Sequence, residues 1–152
     1  MKPVASHYDF TVIGRWRNRD NVAEVVAAIR GAGHSCFSFI ENDWSHHKGY
    51  KFSTSDENTI EETMRQAEAL PIDSLELKEI FDRDLAGLKN SDAVVLALPG
   101  GTSSLIESGI AFGLGKKLYA VGEFDKAETL FQIFDEIFSS VDEFKKFLKE
   151  EK

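Results

Sequence analysis

Between Phe81 and Leu118 the chain reads FDRDLAGLKNSDAVVLALPGGTSSLIESGIAFGLGKKL, a helix, a strand, a glycine turn and a second helix in immediate succession. Asp92 to Leu98 is an almost unbroken apolar run bounded by Pro99-Gly100-Gly101. Such a run is an interior strand of a parallel sheet, covered on both faces, which commits the chain to an α/β architecture. Thr102, Ser103 and Ser104 then supply hydroxyls where a helix begins. At a junction of this kind, free backbone N–H groups and the positive end of the helix dipole meet at the carboxyl edge of the sheet, where open α/β folds bind ligands. Glu107 falls one turn into that helix, facing the same edge.

The remaining elements alternate as a doubly wound fold requires. Phe10 to Gly14 reads as a first strand. Asn21 to Ala32 follows as a helix with Val22, Val25, Val26 and Ile29 on one face and Asp20 as its N-cap. Gly31-Ala32-Gly33 ends it, and Cys36 to Ile40 alternates as a second strand. From Glu41 to Ser55 the pattern fails, leaving a polar loop with interspersed aromatics that closes over something or packs at an interface. Helices are predicted over Asp56–Leu70, stopped by Pro71, and over Ser74–Lys89. The third strand is Ala93–Leu98, its following helix spans about Ser104–Leu114, and Lys117–Gly122 is the fourth strand. Leu130 to Phe138 reads as a short helix running into a fifth strand, Phe134–Phe138, before an amphipathic helix over Val141–Lys149. The expectation is a flavodoxin-like, Rossmann-like sheet of five parallel strands in order 2-1-3-4-5, flanked by helices.

Composition narrows the function. The 152 residues are 42% hydrophobic, so a single domain over 1–152 is expected, with no internal repeat or linker. A net charge of −8 without a basic run argues against binding a nucleic-acid polymer and leaves a small nucleotide open. The longest apolar runs fall far short of a membrane span. Cys36 stands alone, so no intrachain disulfide forms, and the N-terminus lacks the basic start and apolar core of a secretion signal; a cytoplasmic protein is the expectation. His46-His47 is too closely spaced for a helix-face metal pair, and neither a metal nor an organic cofactor is implied.

Three clusters taken together, Gly14-Arg15-Trp16 after the first strand, Asp84-Leu85 before Ser91-Asp92-Ala93-Val94-Val95, and Glu107-Ser108-Gly109-Ile110-Ala111 before Gly115-Lys116-Lys117, resemble the nucleoside 2-deoxyribosyltransferase superfamily over nearly the whole chain. The resemblance implies a flavodoxin-like fold and cleavage or transfer at the N-glycosidic bond of deoxynucleosides, or hydrolysis of their 5′-monophosphates. It assigns Glu107 as nucleophile forming a glycosyl-enzyme, Asp84 to sugar binding and proton management, and Gly14 to a turn where backbone approaches the ligand. Arg15, Trp16 and Arg17 then meet base or phosphate, since guanidinium suits phosphate and indole stacks on a base. The implied partners are a small-molecule nucleoside or nucleotide and a second copy of the chain, in a homodimer or larger assembly. Aromatics of the last segment, Phe131, Phe134, Phe138, Phe144 and Phe147, point the same way if they are exposed.

Two departures separate the chain from that pattern. Val12 stands where members carry a tyrosine. Gly101 stands six residues before the glutamate, where transferases have an aspartate and monophosphate hydrolases a serine. With Gly100, Thr102, Ser103 and Ser104 around it, that turn favours a phosphate-bearing ligand over a free nucleoside.

Plainer readings of the same residues stay open. Ser104-Leu105-Ile106-Glu107 is itself a capping box, with Ser104 capping the helix and Glu107 reaching back to the N-cap amide. Asp84 alone is a solvated helix charge, Asp92 a structural residue at a strand entry, and Arg15 to Arg19 an exposed basic turn. Trp44 and Tyr50 belong to a lid or an oligomer contact. Pro99-Gly100-Gly101-Thr102 followed by Glu107 also resembles the lysine-decarboxylase-like, cytokinin-activating phosphoribohydrolases, although the further glycine-threonine pair and the arginine-lysine helix signature of that group are absent. A non-catalytic nucleotide or nucleotide-sugar sensor uses the same scaffold.

Overall fold

The computed structural model describes residues 7–41 and 57–150. Strand β1 (Tyr8–Ile13) leads through a 3₁₀ turn at Trp16–Asn18 into helix α1 (Arg19–Gly31) and strand β2 (Cys36–Ser38). Helices α2 (Glu57–Glu68) and α3 (Leu75–Lys89) precede strand β3 (Ser91–Ala97). Helix α4 (Thr102–Gly113), strand β4 (Lys117–Val121), strand β5 (Glu136–Phe138) and helix α5 (Val141–Glu150) complete the chain. The five strands are all parallel and lie in the predicted order 2-1-3-4-5. Connections run one way from β1 and the other way from β3, so the crevice between their carboxyl ends is the topological switch point where such sheets bind ligands.

β3 shows why the unbroken apolar run was the strongest signal. Its side chains alternate between two cores: Ala93, Val95 and Ala97 pack with α1 and α5, whereas Val94 and Leu96 pack with Leu88 of α3 and Ala111 of α4. With helices on both faces no position on this strand past Asp92 can be polar. β1 and β3 are also tied by hydroxyls, since Thr11 donates to the carbonyl of Gly87 at 2.9 Å and shares a hydrogen bond with Ser91.

Several boundaries differ from the expectation, each for a local reason. β1 begins two residues early because the Tyr8 N–H donates to the Asn90 carbonyl at 2.8 Å. α1 begins at Arg19, not Asn21, because the 3₁₀ turn before it already winds the chain, with Asn18 N–H donating to the Arg15 carbonyl at 3.0 Å. Asn18 is the N-cap and makes no side-chain cap bond; Asp20 lies inside the first turn, where its charge favours the helix dipole. β2 ends at Ser38, and Phe39–Glu41 is a 3₁₀ turn. Its three residues are all buried where alternation had been expected. Cys36 joins the α1 core while Phe37 packs against Gly87 on the other face. α2 ends before Pro71 as expected, and α3 begins one residue later than expected because Ser74 is its N-cap, with Ser74 Oγ accepting from Leu77 N–H at 3.4 Å. The chain from 130 to 138 splits into a 3₁₀ turn at Thr129–Ile133 and the short strand β5.

The C-terminal aromatics are not the exposed surface that was expected. Phe134, Phe138 and Phe144 are buried, and Phe138, Phe144, Phe147 and Tyr119 form a cluster with ring centroids 5.0–6.3 Å apart. Ring pairs in this range contribute about 0.5–1.5 kcal/mol each beyond their buried area, so this cluster anchors α5 to the sheet. No helix of the described residues is long and apolar enough to cross a membrane.

Gly87 leaves room for Phe37: a Cβ placed on it would lie 2.5 Å from two ring carbons. Gly87→Ala is therefore expected to destabilise the fold by about 1–3 kcal/mol, the range for overpacking a core. Chemical denaturation reads this directly, and an unchanged midpoint would contradict the packing described.

Candidate active site

The site is built around the start of α4. Its N-cap is Gly101, three residues before the position expected for the cap. Ser104 is the residue that reaches back, its Oγ accepting from the Gly101 N–H at 2.8 Å and lying 2.9 Å from the Gly101 carbonyl. This overturns the reading in which Ser104 capped the helix and Glu107 closed the box, and it frees Glu107 from any capping role. The turn depends on its glycines. A Cβ on Gly100 would meet Ser104 Oγ at 2.9 Å, and one on Gly101 would meet the Arg15 side chain at 3.0 Å.

Released from the cap, Glu107 lines a cavity of about 300 Å³ between α3 and α4 together with Asp84. Apart from Ser103 and the two carboxyls, the lining is apolar, including Ile80, Leu85, Leu88, Ile106 and Ile110. Asp84 Oδ1 is fully enclosed and has no hydrogen-bond partner among the described residues. Burial pushes the Asp84 carboxyl up to about 7, only partly opposed by the Arg83 guanidinium. Burial likewise raises Glu107, to about 8, and the neighbouring Asp84 charge adds to the shift. The Asp84 charge opposes ionisation of Glu107, so the pair loses its protons in two steps, Asp84 first and Glu107 second. Near neutrality the pair therefore holds about one proton, so that one carboxylate and one carboxylic acid are present together.

A second cleft of about 620 Å³ adjoins the first at Ser103 and occupies the switch point. It is lined by Gly14, Arg15 and Trp16 from the end of β1, by Gly101–Ser104 from the start of α4, and by Met64 and Glu68 of α2. Gly14 is required there, because a Cβ would lie 2.7 Å from Val22 and 3.2 Å from the Ala97 carbonyl oxygen. The arginines divide their work. Arg17 is engaged by Glu61 at 3.5 Å and Glu68 at 3.1 Å, tying the β1 turn to α2. Arg15 lies along Gly101 and forms no ion pair among the described residues. Trp16 meets Phe39 edge to face at 5.5 Å and packs with Met64.

No protein-family model and no curated protein matches the chain. Among the solved structures that share its architecture are two nucleoside-processing proteins. A 2-deoxyribosyltransferase from Bacillus psychrosaccharolyticus superposes with a TM-score of 0.59 at 15% identity, covering 90% of this chain and 89% of that one. A CMP N-glycosidase from Clostridium botulinum gives 0.53 at 11% identity over 91% and 96% of the two chains. The chain has the nucleoside 2-deoxyribosyltransferase-like fold.

Within this fold the candidate residues fall into two groups that meet at Ser103. Asp84 and Glu107 share the apolar cavity, and Gly14, Arg15, Trp16, Gly101, Thr102, Ser103 and Ser104 share the cleft. Gly100 supports the turn through Ser104, and Arg17 is taken up by α2. Asp92 joins neither group. It is exposed at the amino edge of the sheet, hydrogen-bonded to His7 at 3.1 Å. Trp44, His46, His47 and Tyr50 lie outside the described residues. Sequence reading missed the walls, Leu77, Ile80 and Leu88 of α3 and Met64 of α2. The signal was present in α3, where Leu77, Ile80, Asp84 and Leu88 recur at helical spacing, so the acid lies on the apolar stripe and must be buried.

The raised carboxyls set the sign of a stability effect. Their ordinary values are 3.8 and 4.5, so between those values and about 8 the folded chain binds more protons than the unfolded chain. Stability therefore falls as pH rises through this window. Glu107→Gln removes the higher-titrating of the two groups and leaves Asp84 raised by its own burial. Its thermal midpoint is expected to decline less than that of the parent between about pH 5 and pH 8, and to exceed it at the upper end. Parallel declines would mean that Glu107 is not held protonated.

Proposed function

We propose that the chain cleaves or transfers at the N-glycosidic bond of a nucleoside or, preferentially, a nucleoside 5′-monophosphate. The observation that carries this reading is the placement of Asp84 and Glu107 in one largely apolar cavity, both carboxyls raised by burial, beside an Arg15-lined cleft at the switch point. The pair supplies what the reaction consumes. As the C1′–N bond breaks, positive charge develops at the anomeric carbon and electron density moves to the base. The resting proton sits mainly on Glu107, so the reactive form is the one in which it has passed to Asp84: the Glu107 carboxylate then attacks C1′ and forms a glycosyl ester, the C1′–N electron pair leaves with the base, and protonated Asp84 donates to the base or to a water hydrogen-bonded to it. Water or a second base then attacks C1′, its proton returns to Asp84, and Glu107 leaves as carboxylate.

The apolar walls assist this chemistry, since a carboxylate poorly solvated before reaction is stabilised by the charge that appears at C1′. Arg15 with the hydroxyls of Thr102 and Ser103 suits a phosphate on the 5′ carbon, and Trp16 offers an apolar ring at the rim of the same cleft. Both structural neighbours act on substrates of this kind by name, one as a deoxyribosyltransferase and the other on CMP, which supports the reaction class and leaves ribose against deoxyribose to experiment.

Incubation with ribo- and deoxyribonucleosides and their 5′-monophosphates, with free base quantified, tests the reading. Base release is expected, favouring monophosphates, with a bell-shaped pH profile limited on its two sides near about 7 and 8. Asp84→Asn should lower kcat by about 10²–10⁴-fold, the range for a lost general acid. Ser103→Ala should weaken monophosphates and leave nucleosides unaffected. Undiminished turnover in Glu107→Ala would eliminate the nucleophile assignment, and binding without base release across the panel would make the chain a sensor.

A further inference from the structure

At the amino edge of the sheet, opposite the acid pair, a second set of titratable groups converges. The β1–β3 register pairs Tyr8 with Ser91 and Phe10 with Ala93, which sets Asp9 beside Asp92 on adjacent strands. Two carboxylates on neighbouring positions of paired strands can share a cation placed between them. His7 stands over the same pair, its Nε2 3.1 Å from Asp92 Oδ2. We propose that His7, Asp9 and Asp92 bind a divalent transition-metal ion.

The geometry suits that ion. One ligand atom from each of the three residues lies within 4.8 Å of the others, so small rotations of side chains at the surface bring all three to one centre. An imidazole nitrogen with two carboxylate oxygens is a donor set for zinc and its first-row neighbours, where softer thiolate sites or all-oxygen sites favour other ions. Asp9 is already oriented from behind. Its Oδ2 accepts from the Ser35 N–H at 3.0 Å, and His34 Nδ1 lies 3.5 Å from the same atom, the kind of outer support that fixes a ligating carboxylate. A cavity of about 240 Å³ borders Asp9 and Asp92 and leaves room for waters to complete the coordination. Lys117 lines the same cavity and is exposed, making its ammonium the competing cation. The ion would join the residue preceding β1 to β1 and β3, a structural role independent of the reaction at the other edge.

Isothermal titration of the tag-free full chain with Zn²⁺, paired with the visible spectrum of the Co²⁺ form, tests the proposal. One saturable site per chain is expected, weakened at least about tenfold in both His7→Ala and Asp92→Asn and tightened in Lys117→Met. Replacing His46 and His47 together should leave binding unchanged. The proposal is overturned by the absence of saturable binding, by binding that survives in both His7→Ala and Asp92→Asn, or by binding lost with the loop histidines. Base release provides an independent check, because the Asp92→Asn variant should keep its turnover whether or not the reaction proposed above is correct in detail.

Discussion

Everything distinctive about this molecule follows from placing two carboxyl groups on the wall of one largely apolar cavity. A buried carboxylate oxygen without a partner is costly, and among the described residues none donates to Asp84 Oδ1, which is shielded from solvent. The chain meets that cost by keeping protons on the pair, which is why both groups titrate far above the ordinary carboxylate range. A site that holds a carboxylic acid on one residue and a carboxylate on another near neutral pH is destabilising to the fold and useful to chemistry, as is usual at reactive centres.

The arrangement depends on a small substitution of duties at the head of α4. Because Ser104 reaches back to the Gly101 amide, the helix end is satisfied without Glu107. Because Gly101 has no side chain, Arg15 lies across the helix start, bringing positive charge to the end of α4 that already carries the positive dipole. The residue that relatives of this fold were expected to show as aspartate or serine is thus absent, and the adjoining loop fills its space with a cation. A ligand spanning both cavities meets apolar walls and two acids on one side of Ser103, and hydroxyls and a guanidinium on the other.

The sheet was legible because its central strand is buried on both faces and so cannot hide its apolar run; strand order followed from the alternation of elements around it. What was less legible had physical causes. A glycine N-cap leaves no side-chain mark, so the hydroxyl of Ser104 attracted the cap assignment three residues late. Phe144 and Phe147 looked like surplus aromatics because α5 presents a narrow apolar stripe, yet that stripe packs on Phe138 and Tyr119 of the sheet. Asp92 fitted a sequence pattern and nonetheless sits at the far edge of the sheet, since a strand's first residue and the helix start that follows its last lie at opposite ends. Asp84 and Glu107 were identifiable by type and order, but their mutual burial required α3 and α4 to be placed side by side.

The most direct test is the titration of the two carboxyl carbons, followed by ¹³C NMR in protein labelled at aspartate and glutamate and assigned through Asp84→Asn and Glu107→Gln. The account predicts that neither group ionises near its ordinary value of 3.8 or 4.5, that both titrate in steps near about 7 and 8, and that removing Asp84 moves Glu107 downward. A Glu107 carboxyl that ionises near 4.5 and ignores the loss of Asp84 would contradict it.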